Sequence, residues 1–228
     1  MKFSIILNSR KRVKLLSKLL NSIYENTANP DQVEILISLD CDDEDSQSFL
    51  SEYDRFERNV FWEVIERDSH LNNRLTGLAQ QALGDWIFIL NDDTEILTKD
   101  WDKIAWEALE SADYIVYGYT HCNSVDKERD AKYSSFPMVS KRSVDILGYF
   151  MHPAFHSLGA DVHLWRIYNE LNRVVDVPIQ IKHSLHETVE QVINPDETAR
   201  VMRSMAGRMD WWNYPINEDV DKLRKCLN

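Results

Sequence analysis

The sequence predicts an α/β fold, with a mainly parallel central sheet, helices on both of its faces and a helical C-terminal extension. Two observations predict it. Short apolar runs alternate with stretches in which leucines recur at helical spacing, in the order strand, helix, strand, helix from the first residues onward. Several of those runs also end in polar or acidic residues, and open α/β sheets place ligand-binding side chains at the C-terminal ends of their strands.

In chain order, Phe3–Leu7 is the first strand, Asn8 to Arg12 a polar, basic turn, and Leu15, Leu16, Leu19, Leu20 and Ile23 one face of a helix. Asn29-Pro30-Asp31 breaks that helix before a second strand, Val33 to Leu39, which ends in Asp40-Cys41-Asp42-Asp43-Glu44-Asp45. Asp43, Glu44 and Asp45 are expected to cap and charge the next helix, which leaves Asp40 and Asp42 as candidates for ligand contact. Ser46 to Phe56 reads as that helix and Val60 to Ile65 as the third strand. Asn72-Asn73-Arg74 opens a further helix, for which Gly84 supplies a left-handed cap.

The fourth strand carries the strongest signal. Trp86 to Leu90 is wholly apolar, as a strand covered on both faces should be, and runs straight into Asn91-Asp92-Asp93. Adjacent carboxylates repel unless a cation or a set of donors compensates them. Mg²⁺ and Mn²⁺ prefer carboxylate oxygens and accept phosphate oxygens beside them, so the cluster reads either as a metal site for a diphosphate or as a solvated acidic turn.

Further on, Lys99 to Ser111 is an amphipathic helix, Tyr114 to Tyr119 the fifth strand, residues 120–134 a polar loop, Phe136 to Ser140 a short strand and Lys141 to Gly148 a short helix. Gly159-Ala160-Asp161 opens a helix through Leu171. Val174 to Val177 and Ile179 to Ile181 are short strand pieces leading to His183. The rest, from about Glu187, reads as helical, with an aromatic patch at Trp211, Trp212 and Tyr214.

Composition narrows the function. With 228 residues, 43% of them hydrophobic, and only 6 Gly and 6 Pro, the chain can bury one core and shows no linker. A net charge of -12 argues against a nucleic-acid partner, because phosphate neutralisation needs Lys and Arg. The three cysteines have neither zinc nor disulfide spacing, and the apolar runs stop at about six residues, well short of a transmembrane segment. A cytoplasmic protein is the expectation.

Four features in this order resemble a GT-A-fold glycosyltransferase of the family 2 type, over roughly residues 1 to 185. They are the opening strand, turn and Leu-rich helix; Asp40 after the second strand; Gly84-Asp85-Trp86-Ile87 running to Asn91-Asp92-Asp93; and Leu147-Gly148-Tyr149-Phe150 followed by Gly159-Ala160-Asp161 and His183. The resemblance implies a transferase domain over residues 1–185, with residues 186–228 as a helical extension packed on it. It also implies Mn²⁺ or Mg²⁺ as cofactor, a nucleotide-diphosphate sugar as donor, a hydroxyl-bearing acceptor and inversion at the anomeric carbon.

By the same resemblance Asp93 and His183 are the metal ligands. Asn91 departs from the Asp common at the first position of the triplet, and Asp92 lies near the ribose or the sugar. Asp161 is the catalytic base. Asp40 receives the nucleotide base or ribose, Arg74 offers a cation to the nucleotide, and Ser9 and Arg10 line its pocket. Tyr149, Phe150, Phe155 and Trp165 are candidates for stacking on sugar faces, although most of them are expected in the core. The Trp211-Trp212 patch is expected to close over the acceptor or to form a homodimer face. Two alternatives remain at this point. A nucleotidyltransferase is disfavoured by the absence of Gly from the Asn8 to Arg12 turn, and a non-catalytic member that binds nucleotide or glycan is kept open by Asn91.

Overall fold

A computed structural model describes residues 2–53, 59–67, 70–112, 114–123, 132–156, 158–184 and 210–227. Its strands are β1 (Phe3–Ser9), β2 (Val33–Asp40), β3 (Val60–Ile65), β4 (Trp86–Ile89), β5 (Thr94–Ile96), β6 (Tyr117–Asn123), β7 (Met138–Ser140) and β8 (Val174–His183). They form one sheet in the order β3-β2-β1-β4-β7-β6-β8-β5. The pairs β1/β2, β2/β3, β1/β4 and β6/β8 are parallel, while β7 runs antiparallel to both β4 and β6, and β5 antiparallel to β8. The sheet is therefore mixed but mainly parallel, as expected.

The helices are α1 (Val13–Asn26), α2 (Glu44–Glu52), α3 (Leu71–Gln81), α4 (Trp101–Glu110), α5 (Lys141–Leu147), α6 (Ala160–Glu170) and α7 (Asn217–Arg224). Side-chain alternation along the strands sends them to two cores. Phe3, Ile5 and Leu7 of β1 pack with Leu16 and Leu19 of α1, Leu50 of α2 and Trp101 and Leu109 of α4. Ile6 of the same strand faces the other way, into a core with Leu75 and Leu78 of α3, Val144 of α5, Ile167 of α6 and Val220 and Leu223 of α7.

The connections through α1 and α2 thus cover one face, and the connection through α3 covers the other. The chain changes direction between β1 and β4, and the crevice beyond the C-terminal ends of those two strands is where this architecture binds ligands.

Several expectations are corrected. Gly84 is not a left-handed cap: α3 ends at Gln81, and among the described glycines only Gly148 and Gly159 have positive φ. Gly84 is needed for space instead, because a Cβ there would lie 2.6 to 2.7 Å from Ser4 Oγ and the Phe3–Ser4 backbone. The β6 strand starts later and runs further than expected, taking in residues 120–123, while 124–131 lie outside the described residues. The two pieces around Pro178 are one strand, β8. The short strand β5, which follows the acidic triplet, was not expected. Of the C-terminal region expected to be helical, residues 185–209 lie outside the described residues, and 210–227, with α7, are described. No helix of the described residues is long and apolar enough to cross a membrane.

Candidate active site

Sequence register brings two acids to the switch point. In the β1/β4 pairing Ile6 lies opposite Ile89, so Ser9 at the end of β1 comes level with the triplet. Ser9 Oγ donates to Asp92 Oδ2 at 2.9 Å, and Arg12 NH1 lies 2.8 Å from Asp92 Oδ1. The same guanidinium nitrogen is 3.6 Å from Asp93 Oδ2. Asn91 is exposed, and its carbonyl accepts from the Thr94 backbone N–H and hydroxyl, which closes the turn. The strand β5 then places the second partner: its antiparallel register sets Thr94 opposite His183, and the Ser184 N–H bonds the Asp93 carbonyl at 2.8 Å. His183 Nε2 is accordingly 3.2 Å from Asp93 Oδ1.

The two neighbouring acids differ electrostatically. Burial, reinforced by the Asp93 charge, raises the Asp92 carboxyl above its ordinary range, and Arg12 and Ser9 offset this only in part. Burial would raise Asp93 as well, but His183 beside it and the Arg12 charge outweigh burial and hold it below the usual carboxylate range. Asp93 Oδ1 is buried with His183 Nε2 as its neighbour, and His183 Nδ1 is buried without a hydrogen-bond partner. An oxygen and an imidazole set beside each other at a strand end fit a divalent cation that two protein groups would hold and that would take its remaining ligands from phosphate or water.

The loop after β2 meets the loop after β1. Asp40 is buried between Arg74, 2.5 Å away, and Arg10, 3.1 Å away. Arg74 is itself buried and also donates to the Glu66 carbonyl, so its charge is directed at Asp40. Arg10 makes a two-pronged contact with Asp42, at 3.0 and 2.6 Å, and this contact holds Asp42 far below the ordinary carboxylate range. Asp43 caps α2 through the Ser46 N–H, as expected, and its other oxygen accepts the Lys11 N–H at 2.6 Å. Lys11 has φ 56, a strained conformation that these contacts support.

Asp161 stands in the first turn of α6, where its Oδ1 accepts the Val162 N–H at 2.9 Å. The Tyr117 hydroxyl is raised well above its ordinary value, first by burial and then by the Asp161 charge. The end of β1 is tied to α3, and α3 to residues 155–156: Asn8 Nδ2 donates to the Leu71 carbonyl, and Asn72 donates to the carbonyls of Phe155 and His156. Tyr149, Phe150 and Phe155 are core residues, whereas Trp165 meets the exposed Trp212 edge to face. Trp211 lies over Gly159, leaving no room for a Cβ there.

Arg12 is the residue whose place here exceeds its sequence signal. It read as one of three cations in a basic turn, and nothing in its spacing distinguished it from Lys11. A further trio, His152, His163 and Asp219, brings its ligand atoms within 4.8 Å of one another. His152 Nδ1 already accepts the Ala154 N–H, so the neutral ring has no second lone pair to give, and Lys222 lies 3.6 Å from Asp219. The trio is a buried polar cluster that fastens α7 to α6.

A cavity of about 360 Å³ lined by Lys2, Gln32, Asp102 and Trp106 opens near the start of β1, at the opposite end of the strands. Its acid is already occupied: the oxygens of Asp102 accept the N–H groups of Ala28 and Asn29.

The sequence model of Glycosyl transferase family 2 matches residues 4–163. Among solved structures, S. aureus TarS 1-349 in complex with UDP-GlcNAc is similar with a TM-score of 0.66 at 15% identity, covering 80% of this chain and 58% of that chain. The mannosyltransferase PcManGT from Pyrobaculum calidifontis, in complex with GDP-Man and Mn²⁺, has a TM-score of 0.66 at 13% identity, covering 99% of this chain and 74% of that chain. GalNAc-T7 with UDP, GalNAc and Mn²⁺ has a TM-score of 0.63 at 13% identity, covering 80% of this chain and 43% of that chain. At these identities the likeness is one of fold. No curated protein matches the chain.

Proposed function

The chain belongs to glycosyl transferase family 2, and from that premise we propose that it transfers a sugar, with inversion, from a nucleotide-diphosphate sugar to a hydroxyl acceptor, using Mn²⁺ or Mg²⁺ at Asp93 and His183. The observation that carries this reading is the pairing of β5 with β8, which sets the buried Asp93 carboxylate 3.2 Å from His183 at the switch point. The complexes of PcManGT with GDP-Man and Mn²⁺ and of GalNAc-T7 with UDP, GalNAc and Mn²⁺ support it by analogy of fold.

In this reading residues 1–185 form the transferase domain and residues 186–228 an extension, whose helix α7 packs on α5 and α6. Asp40, braced by Arg74 and Arg10, receives the base or ribose of the donor, and Ser9 and Arg10 line that pocket. When bound, the divalent cation supplies Lewis-acid stabilisation of the departing diphosphate. Asp161 takes the proton of the acceptor hydroxyl as its oxygen bonds to the anomeric carbon. The bond from that carbon to the diphosphate oxygen breaks, and its electron pair leaves with the nucleoside diphosphate. A single displacement of this kind inverts the anomeric centre.

The test is release of nucleoside diphosphate from a panel of UDP-, GDP-, CDP- and dTDP-sugars, with Mn²⁺ and with a chelator. One donor should turn over, and only with metal. Asp161→Asn should keep donor binding within about twofold and lose turnover by about a hundredfold or more. An Asp161→Asn variant that turned over normally would remove Asp161 from the base role.

A further inference from the structure

Asp92 and Asp93 are adjacent in sequence, yet their surroundings assign them different work. Both oxygens of Asp92 are occupied: Oδ1 faces Arg12 NH1 at 2.8 Å, and Oδ2 accepts the Ser9 hydroxyl at 2.9 Å. Its charge is already matched by a guanidinium and a hydroxyl donor inside a site where it is 4% exposed. Asp93 Oδ1 instead faces His183 Nε2 at 3.2 Å.

Arg12 bridges the interior and the cleft. One side of its guanidinium is pinned to the buried Asp92, while the side chain as a whole is 25% exposed. It is also the N-cap residue of α1, a helix of 14 residues whose first turn carries no acid and whose cap has no side-chain hydrogen bond. The N-terminal end of α1 thus adds its partial positive charge beside the guanidinium. Lys11, turned to φ 56 and tied to Asp43 by its N–H, sets the bend from which Arg12 reaches Asp92. A planar guanidinium presents several donors at once, so one edge can hold a carboxylate while another meets phosphate oxygens.

We propose that Arg12 is the protein cation that grips the donor diphosphate, and that Asp92 is a positioning residue for Arg12 rather than a second metal ligand. The inference rests on the donor-site reading given above and makes that site asymmetric. Asp93 and His183 serve the metal, while Asp92 and Ser9 serve the arginine.

Two measurements on purified protein separate the roles: calorimetric affinity for the nucleoside diphosphate that binds the unaltered protein, drawn from UDP, GDP, CDP and dTDP, and half-saturating Mn²⁺ at saturating diphosphate, read from the spin signal of free Mn²⁺. Arg12→Gln and Asp92→Asn should each weaken diphosphate binding by about ten- to a hundredfold, the loss of one charge-assisted contact, without raising half-saturating Mn²⁺. The double variant should be no weaker than Arg12→Gln alone. Asp93→Asn should instead raise half-saturating Mn²⁺ by tenfold or more. Arg12→Lys keeps a charge beside Asp92 and so guards against a fold defect; it should lose part of the affinity while melting like the unaltered protein.

The proposal is overturned if Asp92→Asn raises the Mn²⁺ requirement as Asp93→Asn does, or if Arg12→Gln and Arg12→Lys bind the diphosphate normally. Should the unaltered protein bind none of the four diphosphates with Mn²⁺, the donor site itself is refuted, and the role of Arg12 falls with it.

Discussion

His163 is fully buried against Phe155 and Tyr214, with Pro215 O, Asp219, Arg166 and His152 around it. Burial first, then the neighbouring His152, lowers its pKa from 6.5 to about 4. His152 is lowered as well, again chiefly by burial. The sign follows from linkage. Below the unfolded value the unfolded chain takes up a proton that the folded chain refuses, so stability present above pH 6.5 declines as pH falls towards the folded value. For His163 alone this amounts to about 2 kcal/mol between roughly pH 7 and pH 5, a window above most carboxylate titration. Urea unfolding across that window should show the decline, and His163→Gln should flatten it. A slope that survives His163→Gln would assign the decline to other groups.

Among the elements, β1 and β4 matter most, because their ends carry the site. They are held at the other end by a buried network: Ser4 Oγ donates to Glu34 Oε1 at 2.5 Å, Leu83 N–H reaches the same oxygen at 2.6 Å, and Gly84 N–H bonds Ser4 Oγ at 2.8 Å. Gly84→Ala would drive a Cβ into the Phe3–Ser4 backbone, and backbone cannot rotate away as a side-chain tip can. We expect a loss of about 1–3 kcal/mol in urea unfolding, with Gly77→Ala, where nothing lies within 4 Å of an added Cβ, as a neutral or stabilising control. Equal effects of the two would remove the steric argument.

The same elements show what could be read from the sequence. The strand β4 was legible because Trp86 to Leu90 is apolar on both faces, and α1 because its leucines keep helical spacing. The ten-residue β8 was not, because Pro178 looked like a break. The β6/β8 ladder shifts register between Tyr119 and His121, opposite the proline, and the strand continues past a residue with no N–H to give. The three-residue β5 was too short to show periodicity. It is nevertheless the element that brings His183 to Asp93, so the position of His183 could be expected from resemblance and not from pattern. Asp40, Asp92 and Asp93 were visible as acids at strand ends. The guanidiniums that partner them lie in neighbouring loops, and pairing across loops leaves no trace in spacing.

At the scale of the whole molecule, an acidic chain of net charge -12 gathers Arg10, Lys11 and Arg12 in one loop at the C-terminal edge of its sheet. Each of these cations faces an acid, Asp40, Asp42 or Asp92, so the edge offers no continuous basic face to an extended polyanion. The described C-terminal segment packs against α6 and the glycine before it. Arg166 of α6 donates to the Tyr214 carbonyl at 2.6 Å, and Trp211 lies on Gly159, two residues before Asp161. Trp212, 45% exposed beside Trp165 and Tyr133, remains on the surface.

The account as a whole depends on a divalent cation coupling Asp93 to a nucleoside diphosphate. The most direct measurement is thermal unfolding with UDP, GDP, CDP or dTDP, each with and without Mn²⁺, for the unaltered protein and for Asp93→Ala. The account predicts that one diphosphate raises the melting temperature, that it does so only with Mn²⁺, and that Asp93→Ala abolishes the shift while still folding. A shift of the same size without metal, or one that persists in Asp93→Ala, would contradict it.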